Sequence, residues 1–340
     1  MFREIVISVI IPVFNAETYL SHCLNSIHQQ DFKDFEVLIV NDGSTDSSLT
    51  IVQYYVEKDS RFVVINQHNQ GVSAARNNAL SKASGDFIVF VDADDWLEAE
   101  YLSTLLNTMT DNEADLVCCG YYDYSIYATR LPINDFKGKT TVLKTDEMMY
   151  ALLNGTAGVP WAKLYRKAII DKFGIRFNNQ VKMSEDLVFN LEYVSCCENI
   201  TINKYHGYNY NRLHSTSVSS KVNPDYLSSY EISNELILQL GKKNKLEDLK
   251  LINYTNQRLR DFIVTVCGNI VTNKNTAVYK RLAQIRFFLE ESLAEKYIKQ
   301  FKNERKIPLW FLMNRFYYCS FFYFMIKNNF SELKLKIKKL

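Results

Sequence analysis

Three acidic residues that follow an apolar run are the first candidates for chemistry. They are Asp92, Asp94 and Asp95, and the run before them, residues 87–91, has the composition of a buried strand. Two carboxylates separated by one residue can hold a hard divalent cation such as Mn²⁺ or Mg²⁺, which also binds diphosphate oxygens. An Asp-x-Asp is also common in solvated turns. In this chain such a turn would cap a helix near Leu97. The position after a strand favours the metal.

Polar and aromatic residues also follow two of the apolar runs that precede this one. Asp42 follows residues 35–40 and could accept hydrogen bonds from a base or a ribose. Phe14 follows residues 5–13 and offers a flat face for a base, although a core aromatic is an equal alternative. Arg76 lies in the first turn of a helical segment that opens with Gly71, where it could reach a negative ligand.

The order of the elements predicts how these residues come together. Four short apolar runs are expected to be strands, and segments with helical spacing separate them; the runs are residues 5–13, 35–40, 62–65 and 87–91. Such alternation predicts an α/β fold with a mostly parallel sheet and helices on both faces. Ligands of such sheets bind beyond the carboxyl ends of the strands, where the candidate residues are expected.

Composition and charge narrow the class of protein. The chain has 340 residues, of which 47% are hydrophobic, so it can bury a large core. The formal net charge is only +2, so no global field favours a nucleic-acid partner. The seven cysteines form no C-x-x-C pair, and an odd number without a disulfide framework is typical of a reducing cytosol.

The pattern along the chain predicts two domains. Residues 1–220 are expected to form the α/β domain, with a ligand-binding half at 1–110 and a second half at 111–220. Residues 221–340 are expected to be helical. The first residues have neither a basic segment nor a small-residue cleavage site, which predicts a cytoplasmic protein.

Four motifs taken together resemble a known family. Residues 9–15, 40–46, 71–77 and 92–95 occur in the order and at the spacing found in family-2 glycosyltransferases with the GT-A fold. The resemblance covers about residues 5–105 and is specific, because any one of the motifs alone would be weak. It implies a GT-A, Rossmann-like sheet followed by a helical C-terminal region.

The resemblance also implies a UDP-sugar donor and a set of contacts to it. Asp92 would lie near the ribose and the diphosphate, and Asp94 would hold Mn²⁺ or Mg²⁺. The residues implied in nucleotide-sugar binding are Pro12, Val13, Phe14, Asn15, Asp42, Asn69, Arg76, Asp92, Ala93 and Arg212. Such enzymes usually invert the anomeric centre, which requires a base for the acceptor hydroxyl.

A second acidic pair is the candidate for that base. Ser184 followed by Glu185 and Asp186 is also what an ordinary helix start looks like, and on physical grounds alone that alternative is favoured. The segment resembles the acidic pair in the acceptor region of bacterial family members. The resemblance therefore implies Asp186 as the base, with Glu185 orienting or polarising the site.

Three more residues have roles implied by the same resemblance. Trp161 would be a platform for the acceptor sugar, with core packing as an equal alternative. Arg212 and His214 lie in a polar loop that resembles one closing over the donor. Arg212 would pair with phosphate and His214 would bind the metal or a phosphate oxygen; a surface loop without a role is the alternative.

The composition of the C-terminal segment predicts a peripheral contact with a membrane. Residues 307–326 are rich in aromatic side chains but contain Arg315, and five lysines follow them. This pattern favours a helix lying in a membrane interface over a helix that spans it. A packed helix pair or an oligomer contact is the alternative.

The sequence therefore predicts an inverting, metal-dependent hexosyltransferase of cell-surface polysaccharide synthesis. The acceptor would be a glycan or a lipid-linked glycan, and the enzyme would work in the cytoplasm at the inner face of the membrane. A nucleotidyltransferase would need a Gly-rich loop where Pro12 stands, and a processive synthase would need a Gln-x-x-Arg-Trp motif, whereas Asp261 follows Arg260 here. The remaining alternative is a non-catalytic scaffold subunit that only binds the nucleotide sugar.

Overall fold

The apolar runs near the N-terminus form one half of the sheet. A computed structural model describes residues 5–125, 128–134, 136, 141–213, 224–273, 275–290, 294 and 323–324. The second strand is buried along its whole length, Phe35–Asp42, and the first, Ile7–Val13, along nearly all of it. Strands covered on both faces read as continuous apolar runs, which is why the sequence pattern located them.

The strands and helices alternate along the first hundred residues, and beyond them strands and helices follow one another without strict alternation. The strands are β1 (Ile7–Val13), β2 (Phe35–Asp42), β3 (Phe62–Gln67), β4 (Phe87–Phe90), β5 (Trp96–Leu97), β6 (Leu116–Ser125), β7 (Ala128–Ile133), β8 (Thr141–Leu143), β9 (Lys163–Arg166) and β10 (Ile200–Arg212). The helices are α1 (Leu20–His28), α2 (Ser48–Lys58), α3 (Val72–Leu80), α4 (Tyr101–Asp111), α5 (Thr145–Leu153), α6 (Lys167–Phe173), α7 (Glu185–Val194), α8 (Leu227–Lys243), α9 (Asp248–Thr272) and α10 (Val278–Glu290).

One sheet connects all these strands. Its order is β3-β2-β1-β4-β9-β6-β10-β5, with β7 paired to β6 and β8 paired to β10. The strands β3, β2, β1 and β4 pair in parallel, as do β6 and β10. β9 runs antiparallel to both β4 and β6, so these two groups point the same way. The predicted α/β fold with a mostly parallel sheet is confirmed.

The helices cover the sheet through apolar faces at the predicted spacing. In α1 the buried residues are Leu20, Cys23, Leu24 and Ile27, which lie on one face of the helix. They join the strands β1 and β2 in one core. This packing fixes the carboxyl ends of the parallel strands at one edge of the sheet.

The segment after the acidic cluster differs from the simplest sequence interpretation. Trp96 and Leu97 form β5, which pairs with Asn209 and Tyr208 of β10, and the next helix begins only at Tyr101. The acidic turn therefore does not cap a helix near Leu97. The pairing partner is more than a hundred residues away, so local periodicity could not indicate it.

The chain divides into two compact units. One contains residues Met1–Ser215 and Gln239–Leu246, and the other contains Thr216–Leu238 and Glu247–Leu340. The second unit has its own apolar cluster, which includes Phe262, Ile263 and Phe288. The domain limits derived from the sequence stay a prediction.

The membrane-facing role of the C-terminus also stays a prediction. Of residues 307–340, only Tyr323 and Phe324 lie in the described part of the chain. Among the residues that the structure describes, no helix combines the length and the apolar character needed to cross a membrane.

Candidate active site

The parallel strands bring their carboxyl ends to one edge, where the candidate residues lie. In the register of β1 and β2, Val13 is opposite Asn41, so the two strands end at the same level. Asp92 follows β4 on the other side of β1. The motifs at residues 9–15, 40–46 and 92–95 therefore meet at one edge of the sheet, as predicted.

The loop after β1 presents an aromatic face. Phe14 is 51% exposed, so its ring is available to a flat ligand. Asn15 has a positive φ of 49°, and its Oδ1 accepts a hydrogen bond from the backbone N of Thr45 at 2.8 Å. Pro12 is partly buried and Val13 is fully buried, so the side chain of Val13 serves the core.

Asp42 organises the start of α3. Its carboxylate accepts hydrogen bonds from Gln67 Nε2 at 2.8 Å, from the backbone N of Gln70 at 2.8 Å and from that of Gly71 at 2.9 Å. Gly71 has a φ of 88°, a conformation that favours glycine. Asn69 is exposed beside this turn. A carboxylate offers about four acceptor positions, so three protein donors leave one for a ligand.

Arg76 joins the two halves of the candidate site. Its Nη2 donates to Asp92 Oδ1 at 2.9 Å, and its Nη1 donates to Asp186 Oδ1 at 2.7 Å. The Arg76 side chain is only 4% exposed, and its guanidinium lies 5.1 Å from the centre of the Phe177 ring. Asp186, at the start of α7, is thereby brought to the carboxylate that follows β4.

The charges around this ion pair shift the acid–base properties of α7. Burial and the charge of the neighbouring Asp186 raise the pKa of Glu185 to about 7, against the opposing charge of Arg76. Burial also raises the pKa of Asp186 above its ordinary value, while Arg76 lowers it. Burial alone would lower the pKa of Arg76, but Asp186 and Asp92 raise it above its ordinary value. The arginine therefore stays charged and favours an ionised Asp186.

Ser184 does not act as a simple helix cap. It precedes α7 with a φ of 72°, and within this described segment its side chain makes no capping hydrogen bond. The alternative that Glu185 and Asp186 only mark an ordinary helix start therefore lacks the capping hydrogen bond from which it was argued. The roles of the two acids in catalysis stay predictions.

Asp95 is a structural member of the acidic cluster. It is fully buried, and its carboxylate accepts from Tyr208 Oη at 2.6 Å and from the backbone N of Asn211 at 2.8 Å. Burial raises its pKa well above the ordinary value, and the charges of Asp92 and Asp94 add to this shift. Asp95 thus fastens the acidic turn to β10, while Asp92 and Asp94 remain partly exposed. Ala93 between them packs against the core.

A second buried network holds the chain beside Asp186. Asn190 Nδ2 donates to the carbonyl oxygens of Gly158 at 2.9 Å, Val159 at 3.1 Å and Asp186 at 2.9 Å. The buried ammonium group of Lys163 also donates to Val159 O, at 2.6 Å. These contacts fix the loop before β9 against the first turn of α7.

The sequence interpretation missed the residues that do this anchoring. Asp95 stood among the acidic candidates without a role of its own, and the sequence interpretation assigned no role to Lys163, Asn190, Tyr208 or Asn211. A lysine in an apolar segment and an asparagine four residues after Asp186 were the signals available. Neither signal identifies its partner, because both side chains donate to backbone carbonyl oxygens, which no pattern of side chains marks.

Trp161 lies in an aromatic core. It is 5% exposed, and its ring stacks on Tyr208 at 4.6 Å and on Tyr210 at 5.0 Å, with Tyr121 against its edge at 4.9 Å. This is the packing alternative that the sequence left open, and a ring so enclosed has no free face for a sugar in this conformation. The acceptor contact of Trp161 stays a prediction.

The polar loop after β10 is only partly within the described structure. Arg212 is 57% exposed, and its Nη1 pairs with Asp123 Oδ2 at 3.1 Å. Its predicted phosphate contact stays a prediction. His214 lies outside the described residues, so the predicted metal ligand stays a prediction.

The carboxylates fit a cation that is shared with a ligand. Within the described segments, no group of three or more His, Cys, Asp or Glu side chains is arranged to hold a metal ion. Mg²⁺ and Mn²⁺ in nucleotide sites typically take one or two protein carboxylates and complete their shell with phosphate oxygens and water. The carboxylate of Asp95 is already held by Tyr208 and Asn211. Asp94, which is partly exposed where the strand ends, is therefore the carboxylate that we assign to such a shared cation.

Comparison with known proteins agrees with this architecture. Residues 8–174 match the family model "Glycosyl transferase family 2". The chain is 34% identical over 251 residues to the putative glycosyltransferase EpsH of Bacillus subtilis (strain 168). The aligned segment covers 72% of each protein. It is 36% identical over 197 residues to glycosyltransferase GlyA of Streptococcus pneumoniae serotype 4, covering 54% of this chain and 27% of that longer protein.

A solved structure shows the same fold. The crystal structure of S. aureus TarS 1-349 in complex with UDP-GlcNAc matches with a TM-score of 0.66 and 23% identity, covering 93% of this chain and 90% of that one. At this identity the likeness concerns the fold. It confirms the GT-A arrangement that the sequence motifs implied.

Proposed function

Because this chain belongs to glycosyltransferase family 2, we propose that it transfers a hexose from a UDP-sugar to an acceptor hydroxyl with inversion at the anomeric carbon. The acceptor would be a saccharide or a lipid-linked glycan. The single observation that carries the proposal is that Arg76 joins Asp92 and Asp186, at 2.9 and 2.7 Å. The guanidinium of Arg76 thus donates both to Asp92, on the donor side, and to Asp186, the candidate base.

The donor half of the proposal rests on the sheet edge. The exposed Phe14 ring would stack on the uracil, and Asp42 would accept a hydrogen bond from the base or the ribose. Asn69, exposed beside that turn, would add a contact. The TarS structures with UDP and with UDP-GlcNAc support a uridine nucleotide as the donor for this fold.

Asp94, with His214 as a further ligand, would hold Mn²⁺ or Mg²⁺. When bound, the cation would neutralise charge on the diphosphate as it departs. Asp92 would contact the ribose and diphosphate, and Arg212 would pair with a phosphate after leaving Asp123.

The acceptor half assigns the proton transfer to Asp186. Its carboxylate would take the proton of the acceptor hydroxyl as that oxygen attacks the anomeric carbon and the bond from that carbon to the diphosphate oxygen breaks. UDP leaves with the bonding electron pair. Glu185, whose pKa is raised to about 7 by burial, would orient the site and limit its negative charge.

The setting that we propose is the synthesis of capsule, teichoic acid or another cell-surface polysaccharide. The enzyme would work in the cytoplasm, with residues 307–340 contacting the inner face of the membrane or a second copy of the chain. Relatives from Bacillus subtilis and Streptococcus pneumoniae support a bacterial setting.

A panel of UDP-hexoses tests the proposal. The purified full-length chain is incubated with each donor and Mn²⁺, and release of UDP is measured with and without glycan acceptors. We expect release with one or a few donors, loss of release with a chelator, and loss in Asp186→Asn. UDP binding without turnover across the whole panel would instead favour the non-catalytic scaffold.

A further inference from the structure

We propose that Arg76 is a positioning residue that holds Asp186 and Asp92 in one ion bridge, and that it does not bind the donor phosphates. The inference rests on the proposed function, because it assigns Asp186 as the base. It changes the role that the sequence implied for Arg76. An arginine near the start of α3 was expected to reach the nucleotide itself.

Both terminal nitrogens of the guanidinium are engaged by protein carboxylates. Nη1 and Nη2 each donate to a carboxylate, and the side chain is only 4% exposed. The Phe177 ring lies against it at 5.1 Å. Its Nε is buried and, among the described residues, has no hydrogen-bond partner. A phosphate would have to displace one carboxylate to reach this cation.

Among the described residues, Arg76 is the cation that donates a hydrogen bond directly to Asp186. The charged groups that influence it are Arg76 from α3, Asp92 after β4, Glu185 on its own helix and Lys163 from β9, with the phenol of Tyr165 nearby. The Lys163 ammonium group already donates to the carbonyls before β9. Without Arg76, the carboxylates of Asp186 and Asp92 would face each other with no cation hydrogen-bonded between them.

The bridge also orients the base. Arg76 holds Oδ1 of Asp186, which assigns Oδ2 to the acceptor hydroxyl. The other arm of the same fork holds Oδ1 of Asp92, the carboxylate proposed to contact the donor. A planar guanidinium with two parallel donors keeps a fixed geometry that a lysine cannot reproduce. Arg76 would therefore set the position of the base relative to the donor.

The test uses Arg76→Gln and Arg76→Lys, with Arg61→Gln as the matched control. Arg61 is 13% exposed and pairs with Asp59 at 2.6 Å, so it matches an arginine in a largely buried ion pair outside the site. Three quantities are measured: the Kd for UDP by calorimetry, the carboxyl titration of Asp186 by ¹³C NMR, and kcat and KM against pH. The Asp186 signal is assigned with Asp186→Asn.

We expect Arg76→Gln to raise the pKa of Asp186 by about one unit or more, since an adjacent arginine lowers a carboxyl pKa by roughly one to three units. The acid limb of kcat/KM should move upward with it. Loss of a positioned base should lower kcat by about 100-fold, while the Kd for UDP changes by less than about threefold. Arg76→Lys should keep the titration near that of the unmodified chain but recover only part of kcat.

Two results would overturn the inference. One is a Kd for UDP weakened by more than about tenfold with the Asp186 titration unmoved, which is the signature of a phosphate ligand. The other is an Arg61→Gln variant that shifts Asp186 equally. If Arg76→Gln fails to fold, Arg76→Lys decides by the same measurements. If the unmodified chain turns over no UDP-sugar, the proposed function fails, while the titration and the Kd still decide the role of Arg76.

Discussion

The Tyr208 hydroxyl donates a 2.6 Å hydrogen bond to the carboxylate of Asp95, across 113 residues of sequence. The same hydroxyl oxygen accepts a hydrogen bond from the backbone N of Asp92 at 3.2 Å. Tyr208 is fully buried in β10, and its ring stacks on Trp161. The acidic turn at the end of β4 is therefore anchored by the aromatic core beneath it.

Replacing Tyr208 by Phe is expected to lower the free energy of unfolding by about 1–3 kcal/mol. The change removes one donor from the buried Asp95 carboxylate and the acceptor of the Asp92 backbone N. Urea denaturation of the two proteins measures the difference. Tyr54→Phe, at a side chain that is 58% exposed, is the control. Equal stability of Tyr208→Phe and the unmodified chain would show that the hydroxyl contributes no net stabilisation.

Asp94→Ala is expected to abolish metal-dependent turnover of the donor. The change removes the carboxylate that we assign to the cation and leaves the anchoring contacts of Asp95 in place. UDP release is measured across a Mn²⁺ titration, and Asp111→Ala at the exposed end of α4 serves as the control. Turnover by Asp94→Ala with an unchanged Mn²⁺ requirement would rule out this ligand.

Asp186→Asn is expected to lower kcat by about 100-fold or more, while the Kd for UDP changes little. The amide is nearly isosteric but cannot take the acceptor proton, and Arg76 keeps its second partner, Asp92. Stopped assays give kcat, and calorimetry gives the Kd. Retained turnover would remove the base assignment, and a large loss of UDP affinity would place Asp186 among the donor contacts.

Glu185→Gln is expected to stabilise the protein at pH 8 but not at pH 4. The pKa of Glu185 is raised from 4.5 to about 7 in the folded chain, so its ionisation costs folding free energy as the pH rises through that interval. Below pH 4.5 both states hold the proton and this difference vanishes. The gain at pH 8 should be on the order of 2 kcal/mol.

Thermal or urea unfolding at the two pH values measures this effect. Glu57→Gln, at an exposed glutamate of α2, is the control and should show no such dependence. A Glu185→Gln variant that is equally or less stable at pH 8 would contradict the raised pKa.

The sequence by itself determined the first four strands of the sheet and the edge at which the ligand residues gather. Buried parallel strands are apolar on both faces, so β1, β2 and β4 are visible as continuous runs. Chain connectivity then requires that Phe14, Asp42 and Asp92 follow strands that end together. These are local features of composition and order, and they need no knowledge of distant partners.

Only the tertiary structure decided which charged and aromatic groups touch. Arg76 meets Asp186 across 110 residues, and no local pattern encodes such a pairing. Trp161 was a candidate sugar platform with core packing as an equal alternative, and Asp95 was one of the acidic candidates; packing against β10 buries both. Periodicity reports which faces are buried, whereas the identity of a partner depends on how distant elements pack. That is why the donor edge followed from the sequence, while the bridge from Asp92 to Asp186 did not.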